Sequence, residues 1–399
     1  MHVVQDVSAV AGAKNGTIMA DAANVTQVEA RPRLAFIEGI RAIAALIVVW
    51  NHIFAEVFPL YAVTVPSSLF LHGYSMVLGH LSVTTFIVLS GFCLMLPVVR
   101  DGEIKPLDIR RFFIRRAQRI LPPYYFALLL SLGLVWFLQG RPLGIHFDSA
   151  VGVRPSDIIA HFLLLQNVFG TGKINYVFWS IATEWHLYFT FPFLLQAFRR
   201  FNPVNSTLSV VVLGIILQIF VQDSRLGRAN VHYVGFFAAG MLASLISSRY
   251  ANFPFPNNQR RLLAGISMAC ILIVSLCFAN WGWYQSHRMF VFYDIFVGIF
   301  TFCLLILCSV EESNPFRRFL SWHPLAFIGN YSYSLYLMHV PVIAVFLGFV
   351  VRPLGLSNIN EYYLMLILGT IVVLVCSYAF FFVFERPFLK SRQSANKSR

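Results

Sequence analysis

Apolar runs of about 20 residues recur from Leu34 almost to the C-terminus, and this repetition constrains the fold more than any other feature of the sequence. A run of that length is what an α-helix needs to cross the hydrocarbon core of a bilayer. Only 12% of the 399 residues are charged, which is too little polar surface for a soluble chain of this size. The sequence therefore predicts a polytopic transmembrane helix bundle, all-α, whose surroundings are the lipid bilayer.

Glycine, proline and charge clusters divide the apolar runs into about ten predicted spans. The segment 157–169 is a further candidate for an amphipathic or re-entrant piece, so the count can change by one. The predicted spans fall near residues 35–57, 76–99, 120–139, 177–198, 206–222, 230–247, 262–280, 289–309, 329–351 and 361–384.

Lys and Arg residues orient the bundle, because they are held back in the cytoplasm during insertion. Most of the 30 Lys and Arg residues fall on one side if the N-terminus is cytoplasmic. This predicts a multi-pass protein of the plasma membrane with both termini cytoplasmic, residues 1–33 forming a disordered tail and 389–399 a basic tail. The net charge of +13 is then a topology signal and does not indicate nucleic-acid binding.

Cysteine usage indicates neither a metal site nor redox chemistry. All six cysteines lie inside or beside apolar runs, without CxxC or Cys/His spacing,. The sequence predicts that they are small buried apolar residues and that the protein holds no metal.

Ionisable residues in the first predicted span form a stripe. Arg41 and His52 are eleven residues apart, which returns them to nearly the same helix face about 16 Å apart. Glu38 and Glu56 extend that face at its two ends. Charges inside a span are costly and by default mark a functional site or a buried partner. His52 is a candidate base or proton relay, although pairing that only fixes helix packing, or snorkelling of Arg41, fits equally well.

The fourth predicted span carries Glu184 at a depth comparable to that of His52. A carboxylate beside an imidazole would fix its tautomer and raise its basicity. The alternative is that Glu184 pairs with an unrelated polar group.

A basic stretch precedes the third predicted span. Ordinary topology signalling explains such a run, but guanidinium groups also match phosphate oxygens, so the run fits a donor with several phosphates such as coenzyme A. Its members are Arg110, Arg111, Arg115, Arg116 and Arg119.

Three further residues are candidates for substrate binding. His339, near mid-membrane, fits a place in the same cavity or a structural hydrogen bond. Ser90, next to Gly91, fits close helix approach better than nucleophilic attack. Trp179 opens the fourth predicted span.

Six motifs follow one another along the chain: Arg41-(x10)-His52, Phe86 to Phe92 (FIVLSGF), Arg116-x-x-Arg119, Trp179-Ser180-x-x-x-Glu184, Tyr333 to His339 (YSLYLMH) and Glu385-Arg386-Pro387. Taken in this order, they resemble acyltransferase family 3, the membrane O-acyltransferases that include O-antigen, exopolysaccharide and Nod-factor acetylases and macrolide acylases. The resemblance runs from about Arg33 to Phe388, nearly the whole chain, and predicts a transmembrane acyltransferase domain at residues 34–388.

The resemblance implies a ten-helix acyltransferase domain that takes acyl groups, usually acetyl, from cytoplasmic acyl-CoA (acetyl-CoA). By position it makes His52 the base or acyl relay and Arg41 a donor-site or structural partner. Arg116 and Arg119 become contacts to the CoA phosphates, with Arg111 and Arg115 beside them, and Glu184 a polar partner. His186 departs from the family pattern and receives no role.

Many relatives carry a further extracytoplasmic hydrolase-like domain. This chain stops about a dozen residues after Arg386, so we expect no second domain to complete the transfer. The sequence does not identify the acceptor: a polysaccharide, a lipid-linked sugar and a small apolar natural product all fit. The predicted outer loop 140–176 is a candidate for selecting it. A transporter or flippase, with Arg41, His52 and Glu184 lining a permeation path, is the rival hypothesis, and a non-catalytic scaffold is a third.

Overall fold

The computed structural model describes residues 35–389 except 59–69, 139–140, 142, 146, 148–151, 170, 252 and 312. Almost all of this length is helical. The predicted tails lie outside the described residues, apart from Leu389, so their disorder and the cytoplasmic location of the termini stay predictions.

The helices follow one another with short connections. Segments of π-helix extend the last two predicted spans at Leu347–Val351, Met365–Gly369 and Phe381–Glu385. The α-helices are α1 Ala35–Val57, α2 Phe70–Met95, α3 Ile109–Leu138, α4 Pro155–Phe162, α5 Gln166–Phe169, α6 Phe178–Arg200, α7 Pro203–Val221, α8 Tyr233–Arg249, α9 Asn257–Arg288, α10 Phe290–Val310, α11 Pro315–Leu320, α12 His323–Asn330, α13 Ser332–Phe346, α14 Asn358–Leu364 and α15 Thr370–Phe380.

The part of the chain outside the helices includes one small hairpin, between α2 and α3. Strand β1, Val99–Arg100, pairs antiparallel with β2, Glu103–Ile104. The turn between them places Asp101 and Gly102 at φ 54° and 78°, the left-handed region that two-residue hairpin turns require.

Each of the ten predicted spans coincides with helix in the structure. Among the described residues, nine helices are long and apolar enough to cross a membrane, which confirms a multi-pass membrane protein. The tenth, α6, is 23 residues long, but polar side chains such as Glu184 and His186 lower its hydropathy. Its assignment as a span therefore stays a prediction.

Helices α1, α2, α8 and α13 form the centre of the bundle. Their candidate spans are 61–72% buried, whereas those of α7 and α9 are only 11% buried and present apolar side chains outward, as a lipid-facing periphery does. A Cβ added to Gly91 would lie 2.0 Å from the carbonyl oxygen of Phe237, and one added to Gly240 would lie 1.9 Å from that of Val88. Glycine at these positions lets α2 and α8 cross at backbone contact.

The segment predicted as an extra amphipathic piece forms α4 and α5. Burial acts to raise the pKa of Asp157, but the Arg154 N–H, which donates to it at 2.9 Å, the Thr171 hydroxyl and the charges of Arg154 and Lys173 together lower that pKa. Helix α5 is tied to the start of α6, because Gln166 Nε2 donates to the Phe178 carbonyl at 2.9 Å and Asn167 Nδ2 to the Trp179 carbonyl at 2.7 Å.

Candidate active site

A cavity with about 830 Å³ of empty space opens among α1, α2, α3, α6 and α13. We call it the arginine cavity, because Arg41, Arg116 and Arg119 all line it. Glu184 is the one acidic residue among the described residues of its wall, so the formal charge of the wall is positive. Such a surface suits an anionic group with several oxygens.

The arginine cavity holds Arg41 inside the bundle. Its guanidinium is 2.8 Å from Glu38 Oε1 and 3.4 Å from Cys93 Sγ, and its side chain is 17% exposed. Arg111 and Arg115 are absent from the described cavity wall. Arg111 is exposed, and its backbone N–H donates to Asp108 at 2.9 Å in the first turn of α3. The basic stretch thus divides into residues that face the cavity and residues that do not.

Glu184 is held by two hydroxyl groups. Ser90 Oγ and Tyr188 OH each donate to Glu184 Oε1 at 2.6 Å. All three residues line the arginine cavity. The sequence left open whether Glu184 contacts His52. The described hydrogen bonds of Glu184 go to Ser90 and Tyr188 instead.

His52 pairs with His339, the candidate in α13. Nε2 of His339 lies 3.1 Å from Nδ1 of His52, and the ring centroids are 4.8 Å apart. His339 is fully buried. Residues 287 positions apart in the chain therefore form one imidazole pair.

Backbone carbonyls set the tautomers of this pair. His339 Nδ1 lies 2.7 Å from the Tyr336 carbonyl, and His52 Nδ1 lies 2.8 Å from the Val48 carbonyl. A carbonyl only accepts, so both rings carry their proton on Nδ1. The single Nδ1–H of His52 is then shared between the Val48 carbonyl and His339 Nε2, which leaves Nε2 as the basic nitrogen of His52.

Tyr176 covers the other side of the His52 ring, at 5.2 Å between centroids. Burial, together with the Glu56 carboxylate, raises the pKa of the Tyr176 phenol. The phenol therefore stays protonated, with its oxygen 3.5 Å from Glu56 Oε1.

A second cavity, with about 1300 Å³ of empty space, is lined in part by His80 of α2 and by Trp179 in the first turn of α6. We call it the amide cavity, because six amide side chains line it. These are Gln166, Asn167, Asn175, Gln218, Gln222 and Asn230. Trp179 lies in this wall, one residue from Ser180, which lines the arginine cavity.

The amide cavity also holds a cluster that the sequence reasoning missed. His80 Nε2 and His232 Nε2 lie 3.2 Å and 3.0 Å from the same carboxylate oxygen of Asp294, and Thr84 donates to its other oxygen. Asp294 is fully buried. Among the described residues no group of three His, Cys, Asp or Glu side chains is arranged to hold a metal ion. The cluster is therefore a hydrogen-bonded one.

The imidazole pair adjoins both cavities through its neighbours, although neither histidine is among the described residues that line either cavity. On one side, Tyr336, whose carbonyl holds His339, lines the arginine cavity and accepts a hydrogen bond from Ser180 at 2.6 Å. On the other side, Tyr176, which packs on His52, lines the amide cavity. Each cavity thus shares a tyrosine with the surroundings of the imidazole pair.

The chain matches, over residues 34–383, the family described as "Acyltransferase domain". It is 26% identical over 334 residues to "Putative peptidoglycan O-acetyltransferase YrhL" of Bacillus subtilis, covering 77% of this chain and 50% of that protein. It is 24% identical over 287 residues to "O-acetyltransferase OatA" of Staphylococcus aureus, covering 66% of this chain and 46% of that protein. The chain thus spans about half the length of these curated relatives. No solved structure matches it.

Proposed function

Because this chain belongs to the acyltransferase family that it matches over residues 34–383, we propose that it is a membrane-bound O-acyltransferase of the plasma membrane. It takes an acyl group, acetyl by analogy with the relatives' names, from cytoplasmic acyl-CoA. It passes that group to a hydroxyl of a glycan or similar acceptor. The observation that carries the proposal is that the His52–His339 pair adjoins a tyrosine of each cavity: the Tyr336 carbonyl lies 2.7 Å from His339 Nδ1, and the Tyr176 ring lies 5.2 Å from that of His52.

The arginine cavity is the donor site in this proposal. Arg116 and Arg119 bind the phosphates of CoA through charge-assisted hydrogen bonds, while Arg41, fixed by Glu38, holds the far end of the site. The separation of Arg41 and His52 along α1, about 16 Å, is bridged by the pantetheine arm of the donor. The thioester carbonyl then reaches the imidazole pair.

His52 acts as the general base. Its Nε2 takes the proton of the acceptor hydroxyl as that oxygen attacks the thioester carbonyl carbon. The carbon–sulfur bond breaks, and the proton passes from His52 to the CoA thiolate, so the ring returns to its starting state. Glu184 does not touch His52 here. It holds Ser90 and Tyr188 in the donor cavity and offsets part of the arginine charge.

The test uses the purified full chain in lipid nanodiscs with acetyl-CoA and a panel of neutral glycans, and measures acceptor-dependent CoA release. His52→Ala should lower the rate by about 10²- to 10⁴-fold, as removal of a general base does. His323→Ala removes an exposed histidine of α12 and is the matched control, with an unchanged rate. Wild-type turnover that His52→Ala leaves intact would contradict the mechanism.

The family match favours an enzyme over the transporter or flippase alternative. Flux of a solute across proteoliposomes without CoA release would reverse that preference.

A further inference from the structure

A groove with about 1150 Å³ of empty space runs between α1 and α2 on one side and α9 and α10 on the other. We call it the apolar groove, because none of the described residues in its wall is charged. The hydroxyl groups of Ser82 and Thr85 in this wall donate to carbonyls of their own helix, at Leu78 and Leu81. The wall therefore offers hydrocarbon contacts and suits a hydrocarbon chain.

The apolar groove is about as long as one leaflet of a membrane is thick. Its wall extends along α10 from Phe296 to Leu304, which is about 12 Å of helix, and half of the hydrocarbon core of a bilayer is about 15 Å. Helix α11 borders one end through Phe316 and Phe319, which are 66% and 57% exposed. A single acyl chain that runs along α10 fits this space, with its headgroup beside α11.

Helix α11 lies at the end of the bundle where α1 begins. A Cβ added to Gly39 would lie 1.8 Å from the Leu320 carbonyl oxygen, so α11 rests against the first turns of α1. This is the side that the positive charges predict to be cytoplasmic. Arg317 of α11 is buried, with its guanidinium carbon 5.9 Å from the Phe36 ring centre, whereas Arg318 is exposed.

The same end of the apolar groove carries net positive charge. Segments 257–261 and 311–318 hold four arginines against two glutamates. Arg260 and Glu311 neutralise each other at 2.9 Å and join the first turn of α9 to the end of α10. Arg261, the next residue, is exposed, as Arg318 is. Each basic residue at a membrane surface favours an anionic lipid by about fivefold.

The charge decides which lipid binds. Lipid tails are as apolar as the wall, so exchanging one hydrocarbon chain for another in the groove gains little free energy. The exposed arginines distinguish headgroups instead. A zwitterionic headgroup brings its own cation next to its phosphate, whereas an anionic headgroup leaves that charge to the protein.

We propose that the apolar groove binds one acyl chain of an anionic phospholipid of the adjoining leaflet, with the headgroup at Arg261 and Arg318. The chain fills the space that separates α1 from α9 and α10, which pack against α2. This lipid site goes beyond the proposed function, because it takes no part in the reaction.

The position of the groove links the lipid to the donor site. Ile40, Ala44 and Ile47 share the groove face of α1, and Arg41, which lines the arginine cavity, lies about 100° around the helix from Ile40. The lipid therefore packs against the back of the helix that carries Arg41 and His52.

The test measures lipid binding and not turnover. The full chain is purified in detergent, stripped of lipid and mixed with dioleoyl phosphatidylglycerol or dioleoyl phosphatidylcholine, which carry the same chains, and native mass spectrometry gives the Kd of each. The wild type should bind the anionic lipid more than tenfold more tightly. Arg261→Gln and Arg318→Gln should each weaken that binding about fivefold. Ile271→Trp, at a position of the groove wall that is 46% exposed, should weaken binding of both lipids about tenfold through a clash with the chain.

Two matched controls should keep the wild-type affinities. Arg200→Gln removes an exposed arginine at the end of α6. Leu272→Trp adds the same ring one residue from Ile271, at a position that is 58% exposed and outside the described groove wall. Thermal unfolding without added lipid reports whether each variant is folded. If Ile271→Trp is not, the two glutamine variants at exposed positions still decide the question.

Equal affinity of the wild type for the two lipids would overturn the proposal. An equal loss in Arg200→Gln and in the two groove variants would also overturn it, because the attraction would then be spread over the whole basic side. Full binding by folded Ile271→Trp would show that the chain lies elsewhere. None of these measurements uses acetyl-CoA, so they stand or fall separately from the proposed function.

Discussion

His339→Phe tests whether His339 acts through His52. The substitution keeps a ring of similar size at a fully buried position, so it avoids the cavity that alanine would leave. It removes the Nε2 acceptor 3.1 Å from His52 Nδ1. The Val48 carbonyl remains at 2.8 Å and still holds the proton on Nδ1. His52 therefore keeps its tautomer but loses one of the two groups that orient its ring.

The expected magnitude follows from this partial loss. Partners that orient a metal-bound histidine contribute about 10- to 100-fold, and we expect a loss of the same order for His52, which at 1.36 kcal/mol per tenfold is about 1.4–2.7 kcal/mol of barrier. Removing the base itself costs about 10²- to 10⁴-fold. His339→Phe should therefore lower kcat less than His52→Ala does. The KM for acetyl-CoA should not change, because His339 is not among the described residues that line the arginine cavity.

Initial rates of CoA release at varied acetyl-CoA give kcat and KM for the wild type, the two single variants and the double variant. If His339 acts only through His52, the double variant is no slower than His52→Ala, since residues that work as a unit are not additive. His339→Gln, which offers a carbonyl acceptor, should recover part of the rate. A positioning role would be refuted if the rate loss of the double variant equalled the product of the two single losses. It would also be refuted if His339→Phe raised the KM without lowering kcat.

Two further predictions concern the donor site and the helix packing. Arg119→Ala should raise the KM for acetyl-CoA about tenfold, because it removes a charged hydrogen bond to the donor. Arg111→Ala should leave the KM unchanged, because Arg111 is exposed and lies outside the described cavity wall. Equal effects of the two variants in the same kinetic assay would contradict the division of the basic stretch. Gly240→Ala should destabilise the fold by about 1–3 kcal/mol, because the added Cβ meets the Val88 carbonyl,. Gly265→Ala should be neutral or slightly stabilising, because none of the described residues lies within 4 Å of the added Cβ. Thermal unfolding in detergent distinguishes the two variants, and a lower melting temperature for Gly265→Ala alone would contradict the packing argument.

The spans were predictable because their signal is local. A helix of about 20 apolar residues is required by the thickness of the bilayer, whatever it packs against. The stripe in α1 was predictable for the same reason, since the register of one helix fixes which residues share a face. That single register puts Arg41, which lines the arginine cavity, on the same face as His52.

The partner of His52 was not predictable in this way. Depth along a span placed Glu184 and His339 both near the middle of the bundle, but depth says nothing about which helices are neighbours. In the fold α13 packs against α1, and Glu184 in α6 turns toward Ser90 of α2. The carboxylate that the sequence offered as a partner for His52 therefore lies in the wall of the arginine cavity instead.

The Asp294 cluster was predictable from the depth of its residues along their spans. His80, Trp179, His232 and Asp294 stand within or next to the first turns of predicted spans two, four, six and eight. Alternate spans run in the same direction, so their first turns share one level of the membrane. Comparing polar residues by level across spans, and not only within one span, places all four in one layer from the sequence alone.

The same argument by level separates the two cavities. The Arg41 level carries charged groups and the Trp179 level carries neutral amides, so the two surfaces do not suit the same ligand equally well. The His52–His339 pair adjoins residues of both levels. If the arginine cavity is the donor site, as we propose, the donor must carry its acyl group on an uncharged arm that is long enough to reach from the arginines to the imidazole pair.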